Sequence, residues 1–210
     1  MFDDLAEAVI AGDSGKVSSL IRQALGAGIA PGDLLDNGLI AGMGVVGERF
    51  RDYDMFIPEV LLSAQAMQDG LQMLKPHLIS AGAPSQGKVI IGAVEGDIHD
   101  IGKSLVCSFL EGAGFEVIDL GVDVSPARFV EAVRREQPQF VGLSSLLTST
   151  LPTMGKTIQA LVEAGIRDKV KVLVGGAPVT QTFADSIGAD GYASDGATAA
   201  VCARQLAGRI

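Results

Sequence analysis

The sequence predicts an α/β protein: a four-helix bundle first, then a five-stranded parallel sheet. Three observations carry this. Apolar residues recur at helical spacing through residues 1–80. The small, polar stretch "SAGAPSQG" at 80–87 then breaks the pattern and reads as a linker. Beyond it, short runs rich in Val, Ile and Leu alternate with amphipathic segments, the arrangement of repeated strand–helix–strand units.

In chain order, "DDLAEAVIAG" forms a short first helix. Asp13 or Ser14 can cap a second, through "KVSSLIRQALGAG", where Val17, Leu20, Ile21, Ala24 and Leu25 keep the three-to-four spacing. Pro31 suits a first helical turn, and Leu34, Leu35, Leu39, Ile40 and Met43 continue the third helix. A break at "RDYDMFIP" precedes the fourth, from Pro58, with Val60, Leu61, Ala64, Met67, Leu71 and Leu74 on one stripe. Brief turns between four such helices give an antiparallel bundle. The expected organisation is therefore a helical domain at 1–80, a linker at 81–87 and an α/β domain at 88–210.

In the second half, strands are expected at 88–94, 115–120, 140–144, 170–175 and 190–194. Helices should start near Ile101, Pro126, Leu151, Val179 and Asp195. Right-handed crossovers then give a parallel sheet covered on both faces. Five units fit a flavodoxin-like, Rossmann-type open sheet, whose ligand site lies at the carboxyl ends of strands one and three, where the strand order reverses.

Composition narrows the partners. The 210 residues are 48% hydrophobic with 27 glycines and no tryptophan, so packing rests on Leu, Ile, Val, Ala and Met. A net charge of −9 argues against nucleic acid or an anionic membrane, which reward lysine and arginine. Residues 1–80 alone carry 11 acidic against 5 basic side chains. The two cysteines, Cys107 and Cys202, sit in apolar helical patterns and make no disulfide framework. "MFDDLAEAVI" has acidic residues where a secretory leader is positive, and no apolar run approaches the ~20 residues of a membrane span, so the expected location is cytoplasmic.

The loop after the first strand, "EGDIHDIGKS" at 95–104, resembles a phosphate loop but departs from it. Five residues, not four, separate Gly96 from Gly102-Lys103-Ser104, and two of them are acidic, which repels a triphosphate. No G-x-G-x-x-G follows the first strand, and the third ends in Ser144 and Ser145 where a phospho-acceptor domain has its aspartate. What the loop offers is Asp97-x-His99, a carboxylate close enough to hold Nδ1–H and leave Nε2 open, the arrangement that tunes a metal-ligating histidine. One histidine cannot hold a free ion, so it is either a loop histidine that caps or hydrogen-bonds locally or the ligand of a metal that arrives inside a macrocycle.

Three segments carry a family resemblance. "GDIHDIGKSLV", "GLSSLLTSTLPTM" and "VLVGGAPV" are similar to the D-x-H-x-x-G, S-x-L and G-G signatures of cobalamin-binding domains, in that order and at the expected strand ends. Upstream, "GMGVVGERFRDYDMFIPEVLLSAQAM" at 42–67 resembles the helical cap preceding that domain in methionine synthase and in small methyl-carrying corrinoid proteins.

The resemblance implies that His99 is the lower axial ligand to cobalt, through Nε2, with Asp97 and Thr150 completing a relay. It places the cofactor against Asp97, Ile98, His99, Asp100, Ile101 and Gly102 after strand one, and against Ser144, Leu146, Thr148 and Thr150 after strand three. Gly175, Gly176 and Ala177 follow strand four, and Tyr192, Ala193 and Asp195 border the base of the nucleotide tail. Met55 and Phe56, at the break between the long helices, are the candidates for covering the upper face. The implied role is a non-catalytic carrier alternating between cob(I)alamin and methylcob(III)alamin. Its implied partners are a substrate-specific methyltransferase, a methylcorrinoid:acceptor methyltransferase using tetrahydrofolate or a thiol coenzyme, and a reductive activase. The rivals are a mutase subunit, which has no need of the cap; a cobalamin sensor, for which no output module is left over; and a flavodoxin-like nucleotide-binding protein.

Overall fold

The computed structural model describes residues 1–80 and 86–208. The chain divides into two compact units, Met1–Ser85 with Glu111–Gly114, and Gln86–Leu110 with Phe115–Ile210. Of the expected linker, residues 81–85 lie outside the described residues.

The first unit is helical. Helix α1 (Phe2–Ile10) buries Leu5, Ala8 and Val9. Asp13 caps α2 (Ser14–Gly26) by accepting from the Lys16 amide at 2.8 Å, and α2 buries Val17, Ile21 and Ala24. The third rod runs from Pro31 to Arg51 as α3 (Pro31–Leu34), a π-helical turn (Leu35–Ile40) and α4 (Ala41–Arg51). It is longer than the apolar spacing from Pro31 to Met43 predicts, and a wide turn sits inside it. A Cβ at Gly42 would come within 2.9 Å of the Ala6 carbonyl oxygen and Val9 Cβ, so α1 rests directly on this rod. Helix α5 (Ile57–Ser80) begins where the Phe56 amide donates to Glu59 Oε2 at 2.8 Å. It buries Val60, Ala64, Met67 and Leu74, and its buried Ser63 donates to the Ile10 carbonyl at 3.1 Å.

The second unit is the α/β domain. Strands β1 (Lys88–Ala93), β2 (Glu116–Asp119), β3 (Phe140–Ser144), β4 (Lys171–Gly175) and β5 (Gly191–Ala193) form one sheet in the order β2-β1-β3-β4-β5. Every pairing is parallel. The helices between and after them are α6 (Ile101–Gly112), α7 (Pro126–Glu136), α8 (Leu151–Glu163), α9 (Gln181–Ser186) and α10 (Gly196–Ala207). Ser125, Thr180 and Asp195 cap α7, α9 and α10 through their side-chain oxygens, so α9 starts two residues later than Val179.

Successive residues of a strand face opposite sides. On one face Ile90, Val141, Val172, Leu143 and Val174 join Phe129, Met154 and Leu161 of α7 and α8 in the main core. Phe129 and Phe140 are fully buried, each contributing roughly 1.5–3 kcal/mol by leaving water. On the other face α10 lies close enough that a Cβ at Gly191 would meet Cys202 Sγ. Phe109 of α6 lies against Gly196 at the head of α10. The order of strands reverses between β1 and β3, and the loops that leave their carboxyl ends build the site.

Candidate functional site

Asp97 is the centre of that site, fully buried in the loop after β1. Its Oδ1 accepts from the His99 amide at 3.0 Å and lies 2.8 Å from His99 Nδ1. Its Oδ2 accepts from the Leu146 amide at 2.6 Å and the Leu147 amide at 3.3 Å, and Thr150 Oγ1 stands 3.3 Å away. Burial alone would push this carboxyl's pKa up, but the amides of His99 and Leu146, the His99 ring and the Leu147 amide outweigh it and hold the value at about 2. An ionised carboxylate only accepts, so Nδ1 of His99 carries the proton and Nε2 presents its lone pair. The side chain of His99 is 46% exposed.

The turn after β3 supplies the other half. Ser145 is buried, and its Oγ lies 2.7 Å from Thr150 Oγ1 and donates to the Leu147 carbonyl at 3.1 Å. Thr150 precedes α8 but makes no side-chain cap; its hydroxyl also reaches the Leu147 carbonyl at 2.9 Å. The methyl group has room because a Cβ at position 96 would lie 3.2 Å from Thr150 Cγ2, and Gly96 carries none. Behind the turn the Ser145 amide donates to the Gly175 carbonyl at 3.1 Å. Gly176 has φ +130, and a Cβ there would sit 1.8 Å from the Ser145 carbonyl oxygen, so only glycine fits.

Sheet register lines up several of the expected residues. Ala93, Ser144, Gly175 and Ala193 stand side by side across β1, β3, β4 and β5, a last row of small side chains on the α10 face. Ile98 (73% exposed), Ile101 (72%), Leu146 and Leu147 expose apolar surface in the segments that follow β1 and β3. Asp100, Gly102, Thr148 and Ala177 are exposed on the same loops, and a Cβ at Gly102 would meet nothing within 4 Å. Two residues stand apart. Tyr192 points to the opposite face from Ala193 and packs on the main core, while the Asp195 carboxylate is occupied by the Thr198 amide at 2.7 Å, the Thr198 hydroxyl and Ser194. In the helical unit Met55 is buried and Phe56 is 66% exposed. Sequence reasoning missed Ser145 and the paired Leu146 and Leu147 amides, because residue type carries no mark of a backbone donor.

Among the described residues no three His, Cys, Asp or Glu side chains gather to hold a bare ion. An exposed imidazole held by a buried carboxylate, with exposed apolar side chains in the segments that follow β1 and β3, fits a flat, largely apolar macrocycle whose metal brings its own equatorial ligands. Fold and site thus define a class: a flavodoxin-like domain that presents a carboxylate-held histidine at its topological switch point.

Comparisons with known proteins agree. A family described as B12 binding domain matches residues 87–201, and a second B12 binding domain family matches residues 1–75. The chain belongs to the B12 binding domain family. It is 46% identical over 182 residues to trimethylamine corrinoid protein 1 of Methanosarcina acetivorans, covering 86% of this chain and 84% of that one. Two crystal structures are similar throughout. One is a cobalamin-binding protein from Desulfitobacterium hafniense, with a TM-score of 0.84 and 31% identity over 98% of each chain. The other belongs to the methanol:cobalamin methyltransferase complex MtaBC of Methanosarcina barkeri, with a TM-score of 0.83, 33% identity, and 99% of this chain against 79% of that one.

Proposed function

We propose that this chain is the corrinoid-carrying subunit of a methyltransferase system, taking a methyl group from one partner enzyme and delivering it to another. When bound, the corrinoid supplies a cobalt centre that accepts and releases the methyl group. The observation that carries this reading is the Asp97–His99 pair, with Nε2 open at the β1/β3 switch point.

The chain's own residues bind and orient. Nε2 of His99 would hold the cobalt of a bound corrinoid, while Asp97 fixes the ring's direction. Asp97 keeps its charge beside the ring, because the amides of Leu146 and Leu147 help hold that carboxylate ionised. Ser144 and Thr148 face the nucleotide tail, and the row Ala93–Ser144–Gly175–Ala193 leaves space for it. Gly102 keeps the approach clear, since a Cβ there would meet nothing within 4 Å. The upper-face role of Met55 and Phe56 belongs to the same proposal.

The likeness to trimethylamine corrinoid protein 1 and to MtaBC supports the methyl-transfer type over a mutase subunit. By analogy with MtaBC, the first partner is a substrate methyltransferase; trimethylamine and methanol are the donors to test first. An acceptor methyltransferase using tetrahydrofolate or a thiol coenzyme, and a reductive activase, complete the proposed set. The proposed compartment is the cytoplasm; among the described residues no helix is long and apolar enough to cross a membrane.

Loading the purified protein with cobalamin tests the reading. The wild type should retain the cofactor through gel filtration, with a spectrum shifted from that of the free form. His99→Ala should bind with a different spectrum. An identical spectrum in both would remove His99 from the cobalt.

A further inference from the structure

We propose that Asp123 is a positioning residue for the His99 loop, clamping it from the β2 side as the β3 turn clamps it from the other. The proposal rests on the reading of His99 as axial ligand.

Asp123 lies in the connection between β2 and α7, 27 positions from its target. It grips the loop at two consecutive residues. Its Oδ1 accepts from the Gly96 amide at 2.7 Å, and its own amide donates to the Asp97 carbonyl at 2.9 Å. The Asp97 amide in turn donates to the Val94 carbonyl at 2.9 Å, so the backbone of Asp97 is tied at both ends before its side chain makes any bond. Asp123 reaches this position with φ +52, a left-handed conformation that aspartate, asparagine and glycine adopt more readily than other residues.

The two clamps divide the work. Leu146, Leu147 and Thr150 direct the Asp97 carboxylate, and Asp123 sets the height and tilt of the backbone that carries Asp97 and His99. A ligand nitrogen must meet its metal within a few tenths of an ångström, so a loop released on one side coordinates in a smaller fraction of molecules.

Four proteins test this: wild type, Asp123→Asn, Asp123→Ala and Asp123→Gly. Asparagine keeps the acceptor and tolerates the backbone; glycine keeps the backbone and lacks the acceptor; alanine lacks both. Without corrinoid, exchange of the Gly96 amide should be faster in the alanine and glycine variants and near wild type in the asparagine variant. After loading with cob(II)alamin, 15N-histidine labelling identifies ring coordination by electron paramagnetic resonance. The ratio of coordinated to uncoordinated cobalt should fall on the order of threefold to tenfold in the alanine and glycine variants. Asparagine should restore it. Equal ratios in all four proteins, or a glycine variant matching wild type, overturn the proposal. Absence of a histidine nitrogen signal in wild type removes the axial reading and this proposal with it, whereas exchange at Gly96 still shows whether the clamp exists.

Discussion

Thr150 and Thr180 occupy equivalent places in the fold, each the residue before the helix that follows a strand end. Thr180 takes up the local partner, accepting from the Phe183 amide at 3.2 Å and closing the first turn of α9. Thr150 leaves its helix uncapped and turns its hydroxyl towards Ser145, the Leu147 carbonyl and Asp97. The residue type and position are the same, yet Thr150 adds to its two partners within the turn a third that is 53 positions away. The lesson is that the β1/β3 edge gives up a helix cap in favour of bonds that hold the turn and reach across to Asp97. Departures from a local rule concentrate where a site has to be held.

The contrast can be broken most severely at Gly176. Its Cβ-less contact with the Ser145 carbonyl fixes the β3 turn against β4, so Gly176→Ala should lower stability by roughly 3 kcal/mol or more, read as a fall in the urea midpoint. An alanine variant of normal stability would mean that the turn is not pinned from behind.

Asp97 gives the next largest effect. Its pKa lies at about 2 in the folded chain against an ordinary 3.8, so its share of stability is present above about pH 4 and lost as pH falls towards 2. That share is about 2 kcal/mol. Wild type should therefore lose about 2 kcal/mol more than Asp97→Asn between pH 5 and pH 2, measured by denaturant titration at each pH. Parallel curves would sink the carboxylate as an ionised anchor.

The threonines themselves separate the two roles most finely. Thr180→Ala should cost about 1 kcal/mol, as cap removal does, and leave cobalt coordination unchanged. Thr150→Ala should cost a similar amount and lower the fraction of cobalt bound to the ring, with Thr150→Ser restoring it. Equal coordination in the two alanine variants would erase the distinction between them.

Much of this was legible in the chain. The three central strands, β1, β3 and β4, follow from Val-, Ile- and Leu-rich runs, since each must bury both faces. Asp97 and His99 follow from their spacing of two within a glycine-bounded turn. Thr150 came through resemblance, and its methyl group is accommodated by Gly96. Less visible were Ser145, whose hydroxyl finds its partners only once the turn after β3 is folded, and Asp123, whose partner Gly96 is 27 positions away. Tyr192 shows a different limit: neighbours in a strand look alike in a motif but face opposite sides of the sheet.

The small-residue row carries one more consequence. Its members come from four separate strands, so its capacity is a property of alignment rather than of any one segment. Sliding β4 by a single position would swing Val174 into the space beside Ser144 and turn Gly175 into the core. Hydrogen bonds could re-form after such a slip, but an isopropyl group would stand in the row of small side chains.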